Sequence, residues 1–168
     1  MHARFTVNPT WFIGPFAPEW VPSKMELSAI STNYLIRDLL RTDGPGFPDP
    51  STIDVRDVAR AAVLSLRGPP TSQVGRKRFL LSSPWFSSSE AVEYIAQIRP
   101  DLKDRLSEAA KHSGPVPESN FDTSRVKELL GFEFTDWHKT ISDAVESVLK
   151  LEADWKSKGW VPPTESQH

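Results

Sequence analysis

The side chains able to do chemistry in this chain are few and scattered. Four histidines, His2, His112, His138 and His168, could ligate a metal, but no two share the spacing that zinc sites use, so no metal site is expected. Cysteine is absent, which removes thiolate ligands, disulfides and a cysteine nucleophile. A phosphate cradle needs GxxxxGK[ST], and a dinucleotide fold needs a glycine-rich turn between its first strand and helix. The eight glycines, at positions 14, 44, 46, 68, 75, 114, 131 and 159, satisfy neither pattern. The hydrolase elbow GxSxG and the zincin helix HExxH are missing too. Arg56 and Asp57 could form a binding clamp, although a helix start accounts for Asp57 without one. Glu90 is explained in the same way as a capping partner, and the aromatic residues near the N-terminal loop as core.

Around these side chains the composition is that of a globular protein. The chain has 168 residues, 38% apolar and 25% charged, enough to bury one core. Its net charge of −2 offers no general field for nucleic acid or anionic lipid. No apolar stretch reaches the roughly 18 residues needed to cross a bilayer, and the N-terminus lacks a signal-peptide layout. Neither membrane insertion nor a nucleic-acid partner is expected, and a cytoplasmic location is.

Two strand-like runs and five helical stretches must position any site. Arg4 to Pro15 opens as a β-rich run ending in Gly14-Pro15, a buried strand entering a structured loop. Ser31-Thr32-Asn33 offers N-cap donors to a helix carrying Tyr34, Leu35, Ile36, Leu39 and Leu40. Val55, Val58, Ala59, Ala62 and Leu66 repeat at helical spacing behind a cap at Asp54, and Gly68-Pro69-Pro70 stops that helix. Lys77 to Ser82 reads as a strand, and Ser87 to Glu90 has capping-box spacing ahead of Val92, Ile95 and Ala96. Asp122 can cap a short helix with Val126, Leu129 and Leu130 inside and Gly131 at its left-handed end. A final, longer helix keeps Trp137, Ile141, Ala144, Val145, Val148, Leu149 and Trp155 on one side. Residues from Val161 onward form a polar tail. These residues by themselves specify a mixed α/β domain with no autonomous catalytic signature.

In order, the segments resemble the C-terminal part of an extended short-chain dehydrogenase/reductase, in the branch of dihydroflavonol reductases, cinnamoyl-CoA reductases and fungal aldehyde or methylglyoxal reductases. Four pieces carry the resemblance: Asn8-Pro9-Thr10 through Gly14-Pro15, Ile53 to Ala59 with Ala62 and Leu66, Gly75 to Ser82, and Phe121 to Ser124 leading to Leu129-Leu130-Gly131-Phe132. The resemblance implies an α/β fold: part of a Rossmann-like NAD(P)-binding fold, mostly helical, with a few short strands. Residues 1–160 would be the substrate-binding part and 161–168 the tail. It implies NADP (or NAD) as cofactor, a small carbonyl compound as substrate, Pro9, Thr10, Trp11 and Phe12 against the nicotinamide end, and Thr32 near the cofactor phosphates. The 16–24 and 44–51 loops would border the substrate.

In that family hydride reduction of a carbonyl uses a Tyr acid whose pKa a nearby Lys depresses. Here Asp38 stands four residues after Tyr34 and Ile98 four after Tyr94, so neither tyrosine fits Tyr-xxx-Lys, and no catalytic residue is assigned. Two readings follow. The chain is the substrate-binding half of an aldehyde or ketone reductase, cut off by an incomplete gene model or a real truncation and inactive alone; or it is a non-catalytic binding or interaction module derived from one. In either case the first strand is expected to expose an apolar edge that promotes self-association.

Overall fold

The computed structural model describes residues 5–161 apart from 21, 23, 24, 48, 70, 77, 119 and 120. The tail from residue 162 and the 23–24 end of the expected substrate loop lie outside the described residues. Four short strands are present among the described residues: β1 (Thr6–Pro9), β2 (Trp11–Ile13), β3 (Thr52–Asp54) and β4 (Arg78–Leu81). β1 pairs with β4, Thr6 opposite Arg78, and β2 pairs with β3, Trp11 opposite Thr52. Both pairs are parallel, so each needs a long crossover, and helices supply it. The β-rich opening run is thus two strands joined by a jog at Thr10, and Trp11 and Phe12 are 37% and 39% exposed where a buried strand was expected.

Seven α-helices accompany the strands among the described residues: α1 (Tyr34–Leu39), α2 (Val55–Ser65), α3 (Thr71–Val74), α4 (Ser88–Ile98), α5 (Glu108–Lys111), α6 (Ser124–Leu130) and α7 (Trp137–Ser157). Two 3₁₀ segments, Leu27–Asn33 and Pro100–Arg105, precede α1 and follow α4. The apolar residues form two cores. One joins α1, α4, α5 and α7 through Leu35, Ile36, Leu39, Val92, Ile95, Ala110, Ile141, Val145 and Val148, and Ile13 reaches into it from β2. The other packs Ile53, Phe79 and Leu81 of the strands against Ala61, Val126 and Leu130 of α2 and α6. The β2·β3 ladder therefore lies between the two cores and fixes one against the other.

Local chemistry sets the helix ends. Ser87 and Glu90 form a reciprocal capping box, with the Glu90 N–H on Ser87 Oγ at 3.1 Å and the Ser87 N–H on Glu90 Oε2 at 2.7 Å. Ser87→Ala is expected to cost about 1–2 kcal/mol, read as a lower urea midpoint at unchanged slope. Gly131 ends α6 at φ +72°, the left-handed position that glycine adopts without strain. α6 begins one residue later than the cap at Asp122 implies: Thr123 is the cap position, and Asp122 instead accepts the Ser124 N–H at 3.0 Å.

Candidate functional site

Of the residues that the resemblance points to, Pro9 and Thr10 lie at the carboxyl end of β1, beside the end of β4, where open α/β sheets hold their ligands, and Trp11 and Phe12 follow at the start of β2. Pro9 is the last residue of β1. At the jog, the Thr10 N–H and hydroxyl both donate to the Leu81 carbonyl, at 3.0 and 3.2 Å, so one acceptor of β4 holds the turn from both sides. The Trp11 N–H then donates to the Ser51 carbonyl at 3.2 Å, which starts the second ladder. Thr32 comes from a different element and donates its hydroxyl proton to the Phe12 carbonyl. The structure therefore brings Pro9, Thr10, Trp11, Phe12 and Thr32 together. In this geometry the Thr32 proton is committed to backbone, and donation to a phosphate would require it to leave Phe12.

Beyond Phe12 the chain turns at Gly14, whose φ of +146° favours glycine and whose missing Cβ would lie 2.8 Å from Val55 Cγ1. Its peptide is held by the Asn33 carboxamide. The Gly14 N–H donates to Oδ1 at 3.1 Å, and Nδ2 donates to the Gly14 carbonyl at 2.9 Å. Asn33 was expected to serve as a helix cap together with Ser31 and Thr32, but it makes no side-chain cap bond to α1. A partner nineteen residues away has taken its place.

Arg56 and Asp57 do not form a clamp. Asp54, fully buried, caps α2 by accepting the Arg56 N–H at 2.7 Å and takes the guanidinium through Nε at 2.9 Å and Nη2 at 2.6 Å. It also accepts the Thr140 hydroxyl at 2.8 Å, while Arg56 Nη1 reaches Asp143 at 2.5 Å. Burial by itself raises the Asp54 pKa, yet the donors from Arg56 and Thr140 outweigh it and hold the carboxyl below its ordinary value. The paired carboxylates raise Arg56 further above its ordinary range. Asp57 is buried as well, turned away to accept the Thr135 N–H at 2.6 Å and its hydroxyl at 3.1 Å; there burial wins and the pKa is raised. Both networks tie the start of α2 to the start of α7, which supports the structural reading of the pair.

A cleft of about 450 Å³ opens at the end of β4, lined among others by Ser82, Ser83, Trp85, Phe121, Thr123 and Phe134. None of the five resemblance residues lines it. Tyr94 packs edge-on against Trp137 and His138, with ring centroids 5.7 and 4.7 Å away, and Tyr34 lies exposed at the start of α1. Among the described residues no group of three or more His, Cys, Asp or Glu side chains could hold a metal ion. No helix among them is long and apolar enough to cross a membrane.

No family model matches the chain. It is 34% identical over 153 residues to the ketoreductase azaE of Aspergillus niger, a match covering 86% of this chain and 43% of that protein. It is also 30% identical over 103 residues to the NADPH-dependent methylglyoxal reductase GRE2 of Saccharomyces cerevisiae, covering 60% of this chain and 29% of that one. The fold superposes on the crystal structure of yeast methylglyoxal/isovaleraldehyde reductase Gre2 complexed with NADPH with a TM-score of 0.65 at 26% identity, over 88% of this chain and 43% of that one. The chain resembles the extended short-chain dehydrogenase/reductases in sequence and in fold. It corresponds to the C-terminal half of an extended short-chain dehydrogenase/reductase and spans less than half the length of the relatives it matches. The few parallel strands and dominant helices are what that portion of a Rossmann-fold reductase contains. The pairing of Thr32 with Phe12 and of Asn33 with Gly14 is the part of this arrangement that spacing could not reveal.

Proposed function

We propose that residues 1–160 supply the substrate-side part of an NADPH-dependent reductase of small aldehydes or ketones, with NADH as the less favoured cofactor. Pro9, Thr10, Trp11 and Phe12 form the wall against the nicotinamide end, and Thr32 stands near the phosphates. The single observation that carries this reading is the wall itself: two large aromatic side chains, Trp11 and Phe12, are exposed at the start of β2, just past the carboxyl end of β1. The relatives' printed names supply the chemistry, NADPH and a small carbonyl compound. The nucleotide-binding half would carry the glycine-rich turn and the Tyr, its pKa lowered by a Lys, that protonates the nascent alkoxide. Such a protein acts in the cytoplasm.

Translating the transcript upstream of Met1 in every frame tests this reading. A spliceable frame encoding a glycine-rich turn and Tyr-xxx-Lys is expected; its absence from all frames would count against a reductase half in this gene. The second reading, a non-catalytic module, is favoured by the lack of Tyr-xxx-Lys in this chain. It predicts no turnover when the purified polypeptide is mixed with NADPH and methylglyoxal or isovaleraldehyde, and turnover by the pure chain would refute it.

No partner strand lies on the second edge of β1 among the described residues. In the reductase reading the rest of the sheet covers that edge, and in the isolated chain another copy does. Sedimentation of the purified chain should then show concentration-dependent association. A single monomeric boundary at all concentrations would contradict it.

A further inference from the structure

Asn33 is 8% exposed and sits where the 3₁₀ segment meets α1, far in sequence from the strand it touches. Both groups of its carboxamide are spent on the Gly14 peptide, one accepting and one donating. Its neighbour Thr32 holds the Phe12 carbonyl. Two consecutive side chains therefore grip the main chain on either side of the buried Ile13. Without them the buried Gly14 N–H and carbonyl would be stripped of water with nothing in return, because β2 ends at Ile13 and the ladder to β3 ends with it.

The backbone that delivers these side chains is strained. Ser31, at φ +49° and ψ −141°, is the one non-glycine residue with positive φ among the described residues, and it breaks the 3₁₀ run just before Thr32. A serine stays in such a region only where its surroundings over-determine it. The kink is what turns Thr32 and Asn33 toward β2, when a regular helix start would have used the same three polar residues as caps.

We infer that Asn33 is a positioning residue for the cofactor-facing wall, a clamp that with Thr32 fixes how Trp11 and Phe12 present their rings. This rests on the proposed function for its meaning, but the clamp is testable without it. Asn33→Ala, Asn33→Asp and Thr32→Val would be made in the full chain, and the Trp11 indole resonance and the Gly14 amide exchange rate followed by NMR. Asn33→Ala should speed Gly14 exchange about tenfold or more and shift or broaden the Trp11 indole signal, while amides in α4 and α7 stay as they were. Asn33→Asp keeps an acceptor for the Gly14 N–H but sets an oxygen against the Gly14 carbonyl, so it should restore only part of that protection. Should Asn33→Ala fail to fold, Thr32→Val, which keeps shape and loses only the bond to Phe12, must still shift the Trp11 signal.

An unchanged Trp11 resonance in the folded variants would overturn the inference. Titration with NADPH separates the two claims. If the wild-type chain binds NADPH, Asn33→Ala should weaken that binding about tenfold, and unaltered affinity would also overturn the inference. If the wild type binds none while the Trp11 shift occurs, the cofactor reading suffers and the clamp stands.

Discussion

Alanine at Gly44 is expected to destabilise the protein by about 3 kcal/mol and to lower Tm by about 6–12 °C. A Cβ there would lie 1.9 Å from the Asp38 carbonyl oxygen and 2.7 Å from its carbon, and 3.1 Å from the Arg41 oxygen. These are backbone atoms at the end of α1, so no side-chain rotation relieves the overlap. Gly44 is also a junction. Its N–H donates to the Arg41 carbonyl at 2.9 Å, and its own carbonyl accepts the buried Ser107 hydroxyl, which caps α5. Displacing it disturbs the end of α1 and the start of α5 together, along with the 44–51 loop that the reductase reading sets beside the substrate. Thermal melting followed by circular dichroism checks this, and a Tm within about 2 °C of wild type would contradict the geometry.

Asp54→Ala should cost about 2–3 kcal/mol, because it removes a buried helix cap and the acceptor of the Thr140 hydroxyl, whereas Arg56 is 36% exposed and keeps Asp143. The substitution removes the α2 cap and the Thr140 partner, and leaves Arg56 with Asp143 alone. Asp57→Asn should lie within about 1 kcal/mol of wild type near neutral pH, since an amide can accept the Thr135 N–H and donate to its hydroxyl, and burial already disfavours the charge. The two carboxyls act oppositely with pH. Asp54 has a lowered native pKa, so its contribution is full above the unfolded value near 4 and is lost as pH falls through the native one. Asp57 has a raised native pKa, so its buried charge weakens the native state above that value and is relieved as pH falls through it. Asp54→Ala should therefore flatten the acid limb of the stability curve, and Asp57→Asn should steepen it. Urea titrations between about pH 3 and 7 separate them, and parallel curves would refute the assignment.

What could be read from the chain beforehand was whatever depends on near neighbours. The Ser87–Glu90 box, the Asp54 cap, Gly131 and the rhythm of α7 are all contained within a few turns of chain, and each is found in place. β3 escaped notice because Thr52 to Asp54 runs directly into α2, and only the distant β2 makes it a strand. Asn33 was misjudged for the same reason. Its type and place suit a cap, and its use as a clamp depends on Gly14 being delivered beside it by the fold. The exposure of Trp11 and Phe12 could not be read from hydrophobicity either, because the jog at Thr10 that ends one ladder and starts another depends on the distant Leu81 and Ser51 carbonyls.

The β1·β4 ladder also sets the order of events during synthesis. Asn8 and Phe79 are 71 residues apart, so at about 5–20 residues per second β1 waits roughly 4–14 s on the ribosome for the strand that will pair with it. β2 waits a shorter time for β3, which lies closer along the chain. Val7 is available to chaperones and to neighbouring nascent chains throughout that interval, and Trp11 and Phe12 until β3 has emerged. Yield on expression should accordingly respond to slower growth temperature and chaperone supply more than to changes on the outer faces of the helices.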